Sequence, residues 1–122
     1  MRGREPLIAG LLTLLVHGGV LLFTRPGVLA GQLVDPDCYV RLMRIERLVT
    51  TGAWWDGLMP LLDAPRGLVM HWTRLFDIVV LAVSAPLLPF MDLHDALFWG
   101  GALTSPLLQG PAAMLIAWAA RG

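Results

Sequence analysis

Two aspartates, Asp35 and Asp37, stand on either side of a proline at the start of a basic segment. Carboxylates act as general acids or bases, as nucleophiles and as ligands of hard cations. The pair lies just beyond a hydrophobic span, so we expect it at a membrane surface, where charged groups usually serve a function. A structural interpretation stands beside this one, because aspartate followed by proline also begins many helices.

Arginine supplies every basic side chain of this neutral chain apart from histidine, and there is no lysine. Arg41, Arg44 and Arg47 follow the aspartates at steps of three positions. This usage is typical of guanidinium groups that pair with acids or face phosphate, but nucleotide composition alone produces the same bias. The sequence leaves both interpretations open.

A second polar set, His71, Arg74 and Asp77, also recurs every three positions, where the chain enters another apolar stretch. The three residues would share one face if this segment is helical. An ionisable residue at the mouth of a span usually faces the protein interior, so Asp77 is expected to mark a functional path or to have a charged partner. His71 beside Trp72 is more often structural than catalytic.

Three tryptophans, Trp54, Trp55 and Trp72, lie in the polar region between the apolar stretches. Tryptophan is enriched at membrane interfaces, which makes anchoring the simpler interpretation. Stacking of Trp54 and Trp55 on a sugar ring or an isoprenoid is the alternative. Both interpretations keep this region close to the membrane.

An amphipathic helix over residues 36–51 is predicted to carry the acids and arginines. Asp35 is a good N-cap and Pro36 suits the first helical position. The apolar stripe at helical spacing consists of Cys38, Leu42, Ile45 and Val49. Asp37 and Arg41 are spaced for an ion pair. The helix is expected to lie on the bilayer surface, with its stripe toward lipid or partner helices and its arginines toward head groups or water.

Composition predicts an all-α integral membrane protein, because 57% of residues are hydrophobic and only 15% are charged. Residues 6–24 and 96–120 are long enough to cross a hydrocarbon core about 30 Å thick. Residues 78–91 are uncharged for only 14 positions, a length that also fits a re-entrant or interfacial segment. They form a full span over residues 75–91 only if the helix begins near Leu75 and takes in Asp77. Two or three transmembrane helices are therefore expected, with residues 25–74 forming an outward loop.

The two arginines before the first span, Arg2 and Arg4, favour a cytoplasmic N-terminus under the positive-inside rule. The loop then faces the periplasm or the cell exterior, and we expect a bacterial inner membrane protein. The arginines of the loop argue partly against this orientation. A secretory signal peptide is the alternative, because Val28-Leu29-Ala30 is close to a cleavage site.

The order of these features resembles the start of the GT-C superfamily of polytopic glycosyltransferases. An apolar span is followed by an Asp-Pro pair with Arg41 six positions after Asp35, a helix ending near Gly52, aromatic residues, a Pro-Arg-Gly turn and a second span. The likeness is closest to the oligosaccharyltransferase catalytic subunit and to related uncharacterised bacterial membrane proteins. Strings of the type Asp-Pro-Asp and His-Trp-Thr-Arg-Leu-Phe-Asp occur in those bacterial proteins.

The resemblance implies that Asp35 is the acid of the first outward loop, which binds a divalent metal or acts in catalysis. Asp37 is a second candidate, because Asp-x-Asp is a common metal-binding string in glycosyltransferases. Mg²⁺ or Mn²⁺ held there would neutralise the charge of a departing lipid phosphate. The residues expected to bind the phosphate or the sugar donor are Arg41, Arg44, His71, Arg74 and Asp77, and guanidinium forks suit this role.

Enzymes of this type cross the membrane many more times than this chain does. We therefore expect a segment of such an enzyme, working with a polyprenyl-phosphate-linked sugar but not active alone. Its partners would be membrane lipid and the remaining helices of a larger enzyme or a membrane partner, without nucleic acid. The alternatives are a small non-catalytic membrane subunit and a transporter fragment in which Asp77 and His71 line a path.

Overall fold

The chain is mostly helical in its computed structural model, which describes residues 4–23 and 27–120. The α-helices are α1 Glu5–Phe23, α2 Pro36–Thr51, α3 Leu75–Ser84 and α4 Leu93–Ala119, and short 3₁₀ helices cover Val28–Ala30 and Ala85–Leu87. The all-α prediction is confirmed at this level. Arg2, Arg25 and the last residue of the predicted first span lie outside the described residues.

The first predicted span corresponds to α1, which begins at Glu5 and has 19 residues. Within the described ranges, this N-terminal helix is the one that is long and apolar enough to cross a membrane. A signal sequence near the N-terminus meets the same test as a membrane anchor.

The other two predicted spans differ from expectation. The second was predicted over residues 75–91, but α3 ends at Ser84 after ten residues and is followed by three residues of 3₁₀ helix. Pro86 and Pro89 account for the early end, because proline has no N–H to donate within a helix. Helix α4, with 27 residues, is long enough but less apolar than α1, and it contains Pro106 and Pro111.

The chain divides into two compact units. The first contains α1 and the C-terminal part of α4, which approach each other closely at two glycines. A Cβ added to Gly10 would meet the Met114 side chain and lie 3.3 Å from the Gly110 carbonyl, and one added to Gly110 would lie 3.2 Å from Leu14. Small residues therefore permit the helix contact here.

The second unit covers Asp35–Gly101 and is built around Ile45, Val80 and Leu97, one residue from each of α2, α3 and α4. The partly buried side chains that complete this core are Leu42, Leu81 and Leu93. Gly100 in α4 packs directly against Ser84 at the end of α3. Helix α2 is thus held by protein on its apolar side.

A small antiparallel hairpin connects α2 to α3. Strand β1 Leu58–Met59 pairs with β2 Leu68–Val69. The predicted turn at Pro65 and Gly67 is present, because the Asp63 carbonyl accepts hydrogen bonds from the Arg66 and Gly67 amides and Gly67 has a positive φ of 74°. The two strands were not predicted, because each has only two residues and is too short to show the alternation of apolar and polar residues that marks a strand.

Candidate functional site

Four charged side chains meet inside the second unit, and we call them the arginine cluster: Arg41, Arg44, Arg74 and Asp77. The Asp77 carboxylate is completely buried. Its Oδ1 lies 3.2 Å from Nη1 of Arg41, and its Oδ2 lies 3.2 Å from Nη2 of Arg44 and 3.3 Å from Nη1 of Arg74. One carboxylate therefore forms ion pairs with three guanidinium groups.

Two helices place these groups: the middle of α2 and the start of α3. Arg41 and Arg44 stand three positions apart on α2, so they project from the same side of that helix. Asp77 lies in the first turn of α3, where an acid complements the positive end of the helix dipole, and Arg74 immediately precedes that helix. The prediction that Asp77 has a charged partner is confirmed.

Aromatic rings and a backbone carbonyl fix the two arginines from α2. The guanidinium carbon of Arg41 lies 4.6 Å from the centre of the Trp72 ring and 4.7 Å from that of Phe76. Arg44 Nη2 also donates to the Trp72 carbonyl at 2.7 Å. Contacts with ring faces favour a cation and hold its plane, so the Arg41 guanidinium is held in one orientation.

Arg74 ties the cluster to the loop before the hairpin. Its Nε donates to the Trp54 carbonyl at 3.0 Å and its Nη2 to the Asp56 carbonyl at 2.6 Å. The Asp56 side chain accepts from the Leu58 amide at 2.9 Å and from Arg47 at 2.6 Å. These hydrogen bonds, the backbone one first, lower the pKa of Asp56 below its ordinary value.

The cluster is not electrically balanced, because three guanidinium groups share a single carboxylate. Arg44 is only 3% exposed, and two of its donors, Nε and Nη1, are buried without a hydrogen-bond partner among the described residues. Its pKa is lowered, mainly by burial and also by Arg74 and Arg41, while Asp77 opposes the shift. Most buried donors in proteins have an acceptor, so these two Arg44 donors are exceptions among the described residues.

The prediction that the α2 arginines point to head groups or water is wrong for Arg44, which is buried. The reason is the single buried carboxylate on α3, which draws the side chain into the protein. Arg41 likewise pairs with Asp77 at 3.2 Å, whereas the expected pair with Asp37 is not among the ion pairs of the described residues. Val49, placed on the apolar stripe, is 46% exposed, and Leu48 is buried instead.

Asp35 and Asp37 lie at the exposed start of α2. Asp35 acts as the predicted N-cap, since one of its carboxylate oxygens accepts from the Cys38 amide at 3.0 Å. No group of three or more metal-binding side chains gathers anywhere in the described part of the chain.

The remaining predicted residues lie around the cluster or away from it. Trp72 contributes its ring and carbonyl to Arg41 and Arg44. His71 is exposed and precedes α3, which begins at Leu75, so the expected helical face shared by His71, Arg74 and Asp77 does not form. Trp55 is 93% exposed.

Sequence reasoning missed Phe76 and the Arg47–Asp56 ion pair. Phe76 stands between Arg74 and Asp77 in the string singled out above. An aromatic residue beside these two charged residues is the signal that could have identified it. Arg47 lies in α2 and Asp56 lies in the loop that follows it, so the pair joins the helix to the loop. Helical periodicity does not predict how the chain turns after the helix ends. The pair holds the loop on which Arg74 depends.

Comparison of the chain with protein-family models, with curated proteins and with solved structures finds no match. The fold and the arginine cluster are therefore the grounds on which a function is proposed.

Proposed function

We propose that this chain is a segment of a membrane glycosyltransferase that uses a polyprenyl-phosphate-linked sugar and is not active alone. The observation that carries the proposal is the meeting of two separate strings, the one beginning at Asp35 and the one ending at Asp77. These strings carry the resemblance to the GT-C superfamily, and Arg41 and Arg44 from the first bind Asp77 of the second. An arrangement of cations next to two exposed acids suits a phosphate-bearing substrate.

In this proposal the two exposed acids and the arginine cluster have different tasks. Asp35 and Asp37 would hold Mg²⁺ or Mn²⁺, which when bound neutralises charge on the donor phosphate. Asp37 and Arg41 are four positions apart on α2, about 6 Å along its axis, so one phosphate group can lie near both. Asp77 fixes the guanidinium groups in place and does not touch substrate.

The membrane setting is part of the proposal. Helix α1 would cross the bilayer of a bacterial inner membrane with its N-terminus in the cytoplasm. Large apolar side chains cover its surface: Leu7, Ile8, Leu11, Leu12, Leu15 and Val16 are each more than half exposed. Exposed leucines and isoleucines in such number are unfavourable in water and favourable in lipid. Trp55 would lie at the interface, where its ring is free to contact lipid or sugar.

The test is metal-dependent sugar transfer by the longest natural reading frame that contains this chain. Asp35→Asn and Asp37→Asn are the informative variants, because asparagine caps a helix as well as aspartate does and removes only the charge. Asp63→Asn, on the exposed hairpin turn, is the matched control. The proposal expects loss of transfer for the first two variants and full activity for the third. Intact transfer in both test variants would show that these acids have another role.

A non-catalytic membrane subunit is the second candidate, and the full engagement of Asp77 favours it. A carboxylate held by three arginines from two parts of the chain is also what a purely structural lock would look like. Co-purification of the intact chain with a stable partner, without binding of lipid-linked sugar, would select this candidate. The transporter alternative has no support in the arrangement, because Asp77 is enclosed by arginines and His71 lies outside the cluster.

A further inference from the structure

The arginine cluster carries a formal surplus of two positive charges, since three guanidinium groups face one carboxylate. Neighbouring acids offset little of this surplus, because Asp37 is exposed and Asp56, which also interacts electrostatically with Arg74, is paired with a fourth arginine. Arg47 is paired with Asp56 at 2.6 Å, and Glu46 faces His94 at 3.5 Å. A buried charge without a counter-ion is strongly unfavourable, so the surplus indicates an anion that belongs to the complete site.

The donors that would receive this anion are present in the cluster. Nε and Nη1 of Arg44 are buried and unpartnered, on a residue that is 97% removed from solvent. The Arg41 side chain is the most open of the three arginines, with 24% of its surface exposed, against 12% for Arg74 and 3% for Arg44. Arg41 is therefore the most accessible guanidinium of the cluster, and the unpartnered donors of Arg44 are the ones an added acceptor would satisfy.

We propose that the arginine cluster binds a phosphate group in its dianionic monoester form, in preference to a phosphodiester. A phosphomonoester carries close to two negative charges above its second pKa of about 6, which matches the surplus, whereas a diester carries one. Its three terminal oxygens also accept more hydrogen bonds than the two of a diester. Asp77 remains in place, and the complete cluster becomes neutral.

In sugar transfer, a preference for the monoester would favour departure of the phosphate from the sugar. This inference rests on the proposed function. In that reaction the bond between the anomeric carbon of the sugar and the phosphate oxygen breaks, and the electron pair stays on the phosphate. The acceptor forms the new bond to the anomeric carbon and releases its proton to solvent. The phosphate thereby changes from a diester with one charge to a monoester with two. A site that favours the second form stabilises the leaving group as charge develops.

The experiment is a calorimetric titration of the full chain in detergent micelles at pH 8, with methyl phosphate and dimethyl phosphate as the paired probes. We expect methyl phosphate to bind roughly tenfold or more tightly than dimethyl phosphate, the effect of about one charge-assisted hydrogen bond. Dodecyl phosphate separates the sources of such a group. Tighter binding than methyl phosphate supports a lipid headgroup, and equal binding supports a free phosphate.

The variants are Arg44→Gln, Arg41→Gln and the control Arg66→Gln, which changes an exposed arginine of the hairpin turn. Arg44→Gln and Arg41→Gln should each abolish the preference for the monoester, and Arg66→Gln should retain it. Arg41 is partly exposed, so its variant keeps the test valid if the Arg44 variant does not fold. Absence of methyl phosphate binding, or equal affinity for the two esters in the unaltered chain, overturns the proposal.

The outcome also separates this inference from the proposed function. If the chain prefers the monoester but the longest reading frame transfers no sugar, the phosphate-site proposal stands and the proposed glycosyltransferase function is wrong. If the reading frame transfers sugar but the chain shows no monoester preference, the proposed function stands and the phosphate-site proposal is wrong.

Discussion

Replacement of Asp77 by asparagine tests the idea that one buried carboxylate holds the second unit together. The side chain is completely buried and contacts Arg41, Arg44 and Arg74. Asparagine keeps the volume and can accept a hydrogen bond, but it leaves three cations without a counter-charge. Removing one partner of a buried ion pair costs about 3–5 kcal/mol, so Asp77→Asn should lower the free energy of unfolding by about that amount.

The assay is urea unfolding of the full chain in a mild detergent, followed by far-ultraviolet circular dichroism, because the protein is mostly helical. Asp63→Asn is the matched control. Its side chain is exposed and its φ is 54°, a conformation that asparagine adopts as readily as aspartate. The control should change the free energy of unfolding by no more than about 0.5 kcal/mol.

A double variant identifies the cause of the destabilisation. If it comes from stranded charge, Arg44→Met in the Asp77→Asn background should restore part of the lost stability, since it removes the most deeply buried guanidinium. The reasoning is refuted if Asp77→Asn behaves like the Asp63 control. It is refuted equally if Arg44→Met adds its full destabilisation on top of the first change.

Three further predictions concern other parts of the chain. Asp35→Ala should cost about 1 kcal/mol of stability through loss of the N-cap of α2, measured by urea unfolding, while Asp35→Asn costs almost nothing. Gly100→Ala should destabilise by about 1–3 kcal/mol because its Cβ would collide with Ser84, whereas Gly18→Ala, with no atom within 4 Å, should be neutral or stabilising in the same assay. The folded-state pKa of Asp56 is lowered, so its carboxylate adds stability above the ordinary aspartate pKa of about 3.9 and loses it as pH falls toward the folded-state value. Asp56→Asn should remove that part of the acid dependence, and an unchanged pH profile would contradict the assignment.

Local sequence signals predicted α2 well. The residues around its start, Asp35 and Pro36, encode the cap and the first turn, and the observed helix Pro36–Thr51 begins and ends as expected. Capping and helix periodicity depend on residues within a few positions of one another, so they can be read from a single sequence. The length of the second apolar helix was less predictable, because Pro86 and Pro89 ended a run whose hydropathy continues.

The sequence by itself determined the helical class, the apolar first helix and the start of α2. For Asp77 it left two alternatives open, a functional path or a charged partner. Only the tertiary structure decided that Arg41 and Arg44 join the neighbouring Arg74 as partners of Asp77, because both are separated from Asp77 by more than thirty positions and either could have paired with a nearer acid. It also decided that Arg44 turns inward with two donors unmatched. Charge balance is a property of side chains brought together by packing, and no spacing along the chain records it.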